Sequence, residues 1–123
     1  MTMDALRTLA DRMKVLAHPA RLRILAMLKQ GELCVCQIAG VLEGPASTVS
    51  EHLQSLRKAG FLLERREGKW VHYRLPESGA EADLLESLWP LLKGEACLQS
   101  DRAQARLLKR TVKTGTCATA TNR

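Results

Sequence analysis

Aromatic residues make up only 3% of this chain. So few rings cannot build the stacking platform on which single-stranded nucleic acid is held. No apolar run is long enough to span a bilayer. The N-terminus also lacks the charged segment, apolar run and small-residue cleavage site of a secretory leader. The expected location is therefore the cytoplasm, with no membrane partner and with thiols kept reduced. There is no Ser/His/Asp set, no pair of carboxylates, no phosphate-binding glycine loop and no dinucleotide fingerprint. These gaps argue against an enzyme and against an organic cofactor.

What remains is enough for one domain with a modest core: 123 residues, 46% of them hydrophobic. The net charge of +6 is a mild bias toward polyanions. It is concentrated late, where Arg102, Arg106, Lys109, Arg110, Lys113 and Arg123 face only Glu95 and Asp101. A basic extension of this kind reads as a solvated helix, or less often as an aid to DNA-backbone binding.

Leu6, Leu9, Met13 and Leu16 recur at helical spacing and predict a first helix over residues 3–16. His18-Pro19 breaks it, and Pro19 suits the first position of a second helix that stops at Gly31. A third short helix is expected over 35–42, then a turn at Gly44-Pro45 and a fourth helix from Ala46 to Gly60. On that fourth helix Val49, Leu53 and Leu56 share one face. Ser47, Glu51, Gln54, Ser55 and Lys58 share the opposite one, flanked by Thr48 and Ser50. Short polar side chains at a helix start let the backbone approach base edges in a major groove.

Leu62–Arg66 and Trp70–Leu75 read as two strands around Glu67-Gly68-Lys69, a tight hairpin. A helix-turn-helix followed by a hairpin is a winged helix, here mainly α with one β-hairpin. Arg65, Arg66 and Lys69 sit near the wing tip, where phosphate or the minor groove is touched. A fifth helix over 78–93 is richer in leucine than one domain can bury, and with the first helix it makes a homodimer surface. Pro90 is expected to kink or end it at Trp89. A sixth helix is expected over Asp101–Lys113, capped by Ser100, followed by a mobile tail. The division that follows is 1–93 for DNA binding and dimerisation, and 94–123 for a basic extension.

The narrowest signal is Glu32-Leu-Cys-Val-Cys36, two thiols one residue apart just ahead of the helix-turn-helix. Polarisable sulfur bonds well to soft metals and metalloids. The plainer reading makes both cysteines small buried apolar residues. Two residues apart on a regular helix point about 200° from each other. One ion can therefore be shared only if the backbone between them is not regular helix, which placing Cys34 at the cap position allows. A soft ion that prefers three thiolates in a pyramid leaves a third donor to be found. Cys97 ranks ahead of Cys117 as the third, because ordering a loose tail costs more entropy, and water or hydroxide is the other option. His18, His52 and His72 read as interhelical packing, or as phosphate contacts for the last two, ahead of metal ligands.

His18-Pro-Ala-Arg-Leu-Arg-Ile-Leu25, Ser47-Thr-Val-Ser-Glu-His-Leu53, Leu56-Arg-Lys-Ala-Gly60 and Trp70-Val-His-Tyr-Arg74 together resemble the ArsR/SmtB family of metal-sensing repressors. The resemblance covers residues 5–93, and Glu32–Cys36 is similar to the metal box of its arsenic, antimony and cadmium/lead sensors. It implies a homodimer that holds operator DNA when metal-free and releases it when As(III) or Sb(III) binds. The arsenic pattern often has a third cysteine where this chain has Ala39. The fifth helix has no histidine, so zinc sensing through that helix is not expected. The alternatives are a thiol redox or sulfide sensor of the same fold, a cadmium/lead sensor, and, in another class, a small thiol enzyme. The last needs a nucleophilic cysteine in an anion-binding loop, which the chain does not offer.

Overall fold

The computed structural model describes residues 3–112 of the chain. Helix α1 (Met3–Leu16) gives way to α2 (Pro19–Met27), whose N-cap is His18. The His18 Nδ1 accepts the Ala20 N–H at 3.2 Å, and Pro19, which has no N–H to satisfy, takes the first turn. A 3-10 turn (Leu28–Gln30) extends α2 to Gly31, which has φ 138°. Then come β1 (Leu33–Cys34), α3 (Val35–Leu42), α4 (Ala46–Lys58), β2 (Leu63–Glu67), β3 (Trp70–Arg74), α5 (Ala80–Leu92) and α6 (Ala96–Val112).

The architecture is a winged helix-turn-helix, mainly α with a β-hairpin, in the expected order. Ile24 and Leu25 of α2, Ile38 of α3, Val49, Leu53 and Leu56 of α4, and Phe61 after it form one buried cluster. The three apolar positions read from the period of α4 all lie in that core. The hairpin closes with Glu67 opposite Trp70, leaving Gly68 and Lys69 as the two turn residues. Gly68 holds φ 60°, the left-handed conformation such a turn requires.

Three local expectations are corrected. Leu33–Cys34 is a short strand that adds to the wing, giving a three-stranded antiparallel sheet in the order β1-β3-β2. Two residues carry no period, so alternation could not reveal them. Of the two expectations at Pro90, a kink or an end at Trp89, the end is overturned: helix α5 runs on to Leu92. Only Leu91 and Leu92 follow the proline, so the lost donor falls in the last turn and the helix absorbs it. Helix α6 begins at Ala96, not Asp101, and Ser100 lies inside it.

Helix α6 starts early because its first turns are held. Asp101 is buried and accepts two bonds from Arg23 of α2, Nε to Oδ2 at 2.8 Å and Nη2 to Oδ1 at 2.9 Å. Leu98 and Ala105, seven residues apart and so on one helix face, are buried as well. The helix packs back across α2 and α3. The expected tail, Cys117 included, lies outside the described residues. Among the described residues no helix is long and apolar enough to cross a membrane. Leu6, Leu9 and Met13 of α1 and Leu91 of α5 leave their apolar side chains exposed.

Candidate functional site

Cys34 has three structural roles. It ends β1, it pairs with His72 of β3, and it is the N-cap of α3 in extended backbone conformation (φ −86°, ψ 163°). A capping box surrounds it: the Gln37 N–H points at the Cys34 side chain, and Gln37 Oε1 accepts the Cys34 N–H at 2.8 Å. Because Cys34 lies outside the helical turn and Cys36 inside it, the two side chains converge instead of diverging. Their Sγ atoms are 2.7 Å apart. Cys34 is buried and carries a free thiol, whereas Cys36 is disulfide-bonded. Burial pushes the Cys34 thiol pKa up, and the nearby N–H groups of Gln37, Cys36 and Cys34 pull it partly back. A soft ion binding there must displace a proton.

Cys97 is placed elsewhere. It is exposed, near the start of α6, in the surroundings of Arg23, where Asp101 and Glu43 also act on the guanidinium. Glu43 closes the far end of α3 from the thiol pair. Among the described residues no three His, Cys, Asp or Glu side chains gather as a metal-binding group. The histidines are not drawn to the thiols as ligands. His52 is buried against His18, ring centroids 4.5 Å apart, and accepts the Arg21 Nε–H at 3.1 Å. Desolvation, with His18 and Arg21 nearby, lowers its pKa and keeps it neutral. His72 lies between Glu67, 3.4 Å from Nε2, and Glu32, 3.9 Å from Nδ1.

The polar face of α4 lines an open groove of about 530 Å³ with Ser47, Ser50, Glu51, Gln54, Ser55 and Lys58. Arg21 of α2 joins them, a contribution that the pattern of α4 alone could not reveal. Thr48 is exposed beside it. Gln54, which lines the groove, is also engaged within the fold. Its Nε2–H donates to Tyr73 Oη at 3.2 Å, and its Oε1 accepts from Arg57 Nη2 at 2.9 Å. On the wing, Lys69 is exposed, and Arg66 approaches Glu64 no closer than 3.8 Å. Arg65 is committed: its Nη2 and Nε donate to Glu32 at 2.6 and 3.0 Å. Glu32 was not singled out by sequence reasoning. The available signal was an acid two residues ahead of a thiol pair in a chain whose wing is basic.

A recognition helix presenting small polar side chains to a groove, followed by a wing with cations, defines a DNA-binding transcription regulator. Residues 18–62 match the family of bacterial regulatory proteins called arsR. The chain is 44% identical over 79 residues to the arsenical resistance operon repressor of Escherichia coli (strain K12), covering 62% of this chain and 68% of that protein. It is 40% identical over 65 residues to a CadC homolog from Staphylococcus aureus, a cadmium resistance regulatory protein, covering 52% of this chain and 54% of the relative. The fold is similar to a homodimeric winged helix-turn-helix domain of Mycobacterium bovis, a possible ArsR-family regulator. The TM-score is 0.66 at 32% identity, over 76% of this chain and 86% of that one. The chain belongs to the ArsR family and is a transcriptional repressor, not an enzyme.

Proposed function

We propose that this repressor is a homodimer that holds operator DNA and releases it when trivalent arsenic or antimony is captured by the thiolates of Cys34 and Cys36. The observation that carries the reading is the convergence of the two sulfurs, 2.7 Å apart, at a helix cap where the backbone is extended. The reduced protein is the form that offers both thiolates. The E. coli relative is named for arsenical resistance, which favours the metalloid over the cadmium of the S. aureus relative. Dimerisation is supported by the exposed apolar residues of α1 and α5 and by the homodimeric M. bovis neighbour. Ser47, Thr48, Ser50, Glu51 and Lys58 face the DNA, with Arg66 and Lys69 on the phosphates. Residues 1–93 carry both tasks, and 94–123 is a basic extension.

For the third donor we place Cys117 ahead of Cys97. Cys97 does not gather with Cys34 and Cys36 into a three-ligand group among the described residues. A solvent oxygen is the alternative donor. The test is titration of the fully reduced protein with arsenite, read as operator release, in the wild type and in Cys34→Ser and Cys36→Ser. Release in the wild type and none in the variants is expected. The control is clean at Cys34, since Cys34→Ser creates the Ser-x-x-Gln form of the capping box already built there. Its fold should survive while a soft ion loses its ligand. A normal response from the double variant would sink the assignment.

A second reading rests on the disulfide at Cys36. In it, oxidation of the thiols releases DNA. Release only with an oxidant, and never with arsenite under reducing conditions, would select it.

A further inference from the structure

Cys34 of the thiol pair and the wing share a sheet. Cys34 and Leu33 form β1, and Leu33 is opposite Tyr73 on β3. The Tyr73 ring is buried, and its Oη accepts from Gln54 of the recognition helix at 3.2 Å while its O–H donates to Glu64 of β2 at 3.1 Å. One residue ahead of β1, Glu32 clasps Arg65 of β2 with two bonds, at 2.6 and 3.0 Å. Two tethers therefore run outward from the sensing strand, one to the recognition helix through Tyr73 and one to the wing through Arg65.

A two-residue strand has few ladder bonds to resist displacement. Two sulfurs bonded to one ion cannot stay 2.7 Å apart, so capture shifts Cys34 Sγ against the Gln37 N–H of the capping box and moves the point where strand becomes helix. Whatever moves Cys34 also moves Leu33 and Glu32, and the tethers pull on Gln54 and Arg65. From this geometry we infer that the wing sheet, through the Glu32–Arg65 clasp and the Tyr73–Gln54 bond, transmits inducer capture to the DNA-reading elements. The inference rests on the inducer site proposed above. Glu32 and Tyr73 are positioning residues: neither is a thiol ligand and neither faces the groove.

The experiment uses the double variant Glu32→Gln/Tyr73→Phe of the full chain, which keeps the buried ring and the side-chain volumes. Operator affinity is measured with and without arsenite, and arsenite binding is followed separately as bound arsenic per chain. Allosteric couplings amount to about 5–150-fold. In the double variant arsenite should bind at wild-type stoichiometry, while the operator-affinity ratio falls about tenfold or to unity, whichever is reached first. Emission of Trp70, the first residue of β3, provides an independent view of the wing in a Trp89→Phe background. Arsenite should shift it in the otherwise wild-type chain and leave it unchanged in the double variant. A double variant that binds arsenite and keeps the full wild-type ratio would overturn the inference, since α3 still packs on α4 in it. A wild-type chain that binds no arsenite would instead remove the inducer site and this route with it.

Discussion

Cutting the Arg23–Asp101 pair from its two ends should cost unequal amounts. The Asp101 side chain is 6% exposed and that of Arg23 is 34% exposed. Arg23→Ala leaves a carboxylate in the interior without its partner, a change that costs about 3–5 kcal/mol. Asp101→Ala leaves a guanidinium that is already one-third in water and can rotate further out. That loss is limited to charged hydrogen bonds, about 1.5–3 kcal/mol, and solvent screening reduces it further. The difference between the two variants is then about 1–2 kcal/mol, with Arg23→Ala the worse. For a chain of this size that corresponds to a gap of very roughly 3–10 °C in Tm. Removing both partners should be milder than Arg23→Ala alone, because no charge is stranded. Urea unfolding of the three variants measures this. Hydrogen exchange of the α6 amides shows whether the helix detaches locally or the whole domain unfolds. Equal costs for the two single variants, or a greater cost for Asp101→Ala, would refute the reasoning.

The other predictions address the dimer, the DNA and the third thiol. Leu9→Glu places a charge in the exposed apolar stripe of α1 and should shift the protein to monomer in sedimentation, with operator affinity falling alongside; an unchanged dimer would move the interface elsewhere. Thr48→Ala should weaken binding to operator more than to random duplex. Lys69→Ala should weaken both alike and reduce the salt slope by about one, so an equal pattern for the two substitutions would contradict the assigned roles. Cys97→Ser should leave the arsenite response as it is and Cys117→Ser should weaken it; the opposite result returns the third ligand to the start of α6.

Most of the fold was legible because strong periods carry it. Val49, Leu53 and Leu56 mark the buried face of α4, and Gly68 marks the hairpin turn, so these elements fall where the pattern puts them. The errors lie where tertiary contacts decide. The start of α6 depends on Asp101 meeting Arg23, 78 residues away in sequence, which no local pattern records. At the site, the convergence of Cys34 and Cys36 followed from elementary helix geometry once Cys34 was placed at the cap. The engagement of Gln54 by Tyr73 and of Arg65 by Glu32 was not legible. A polar residue on a helix face and a cation on a wing look the same in sequence whether they await DNA or already hold a neighbour.

A thiol is a weak choice for the position that Cys34 occupies. Helix caps favour Ser, Thr, Asp and Asn, whose side-chain oxygens accept backbone N–H bonds well, and replacing such a cap costs about 1 kcal/mol. With Gln37 already in place, serine would complete a strong capping box. Cysteine makes a poorer acceptor there, and its burial holds the thiol in the protonated form. Helix stability alone therefore does not explain the residue. Its place at the joint of β1 and α3 does give it one property that serine lacks: bonding to a soft ion draws on the same sulfur that closes the cap. Occupying the site and loosening the start of α3 are then a single event, and the ladder from β1 to β3 lies one residue away. At the proposed inducer site, a weak cap that is also a good ligand would link ion capture directly to the strand that borders the wing.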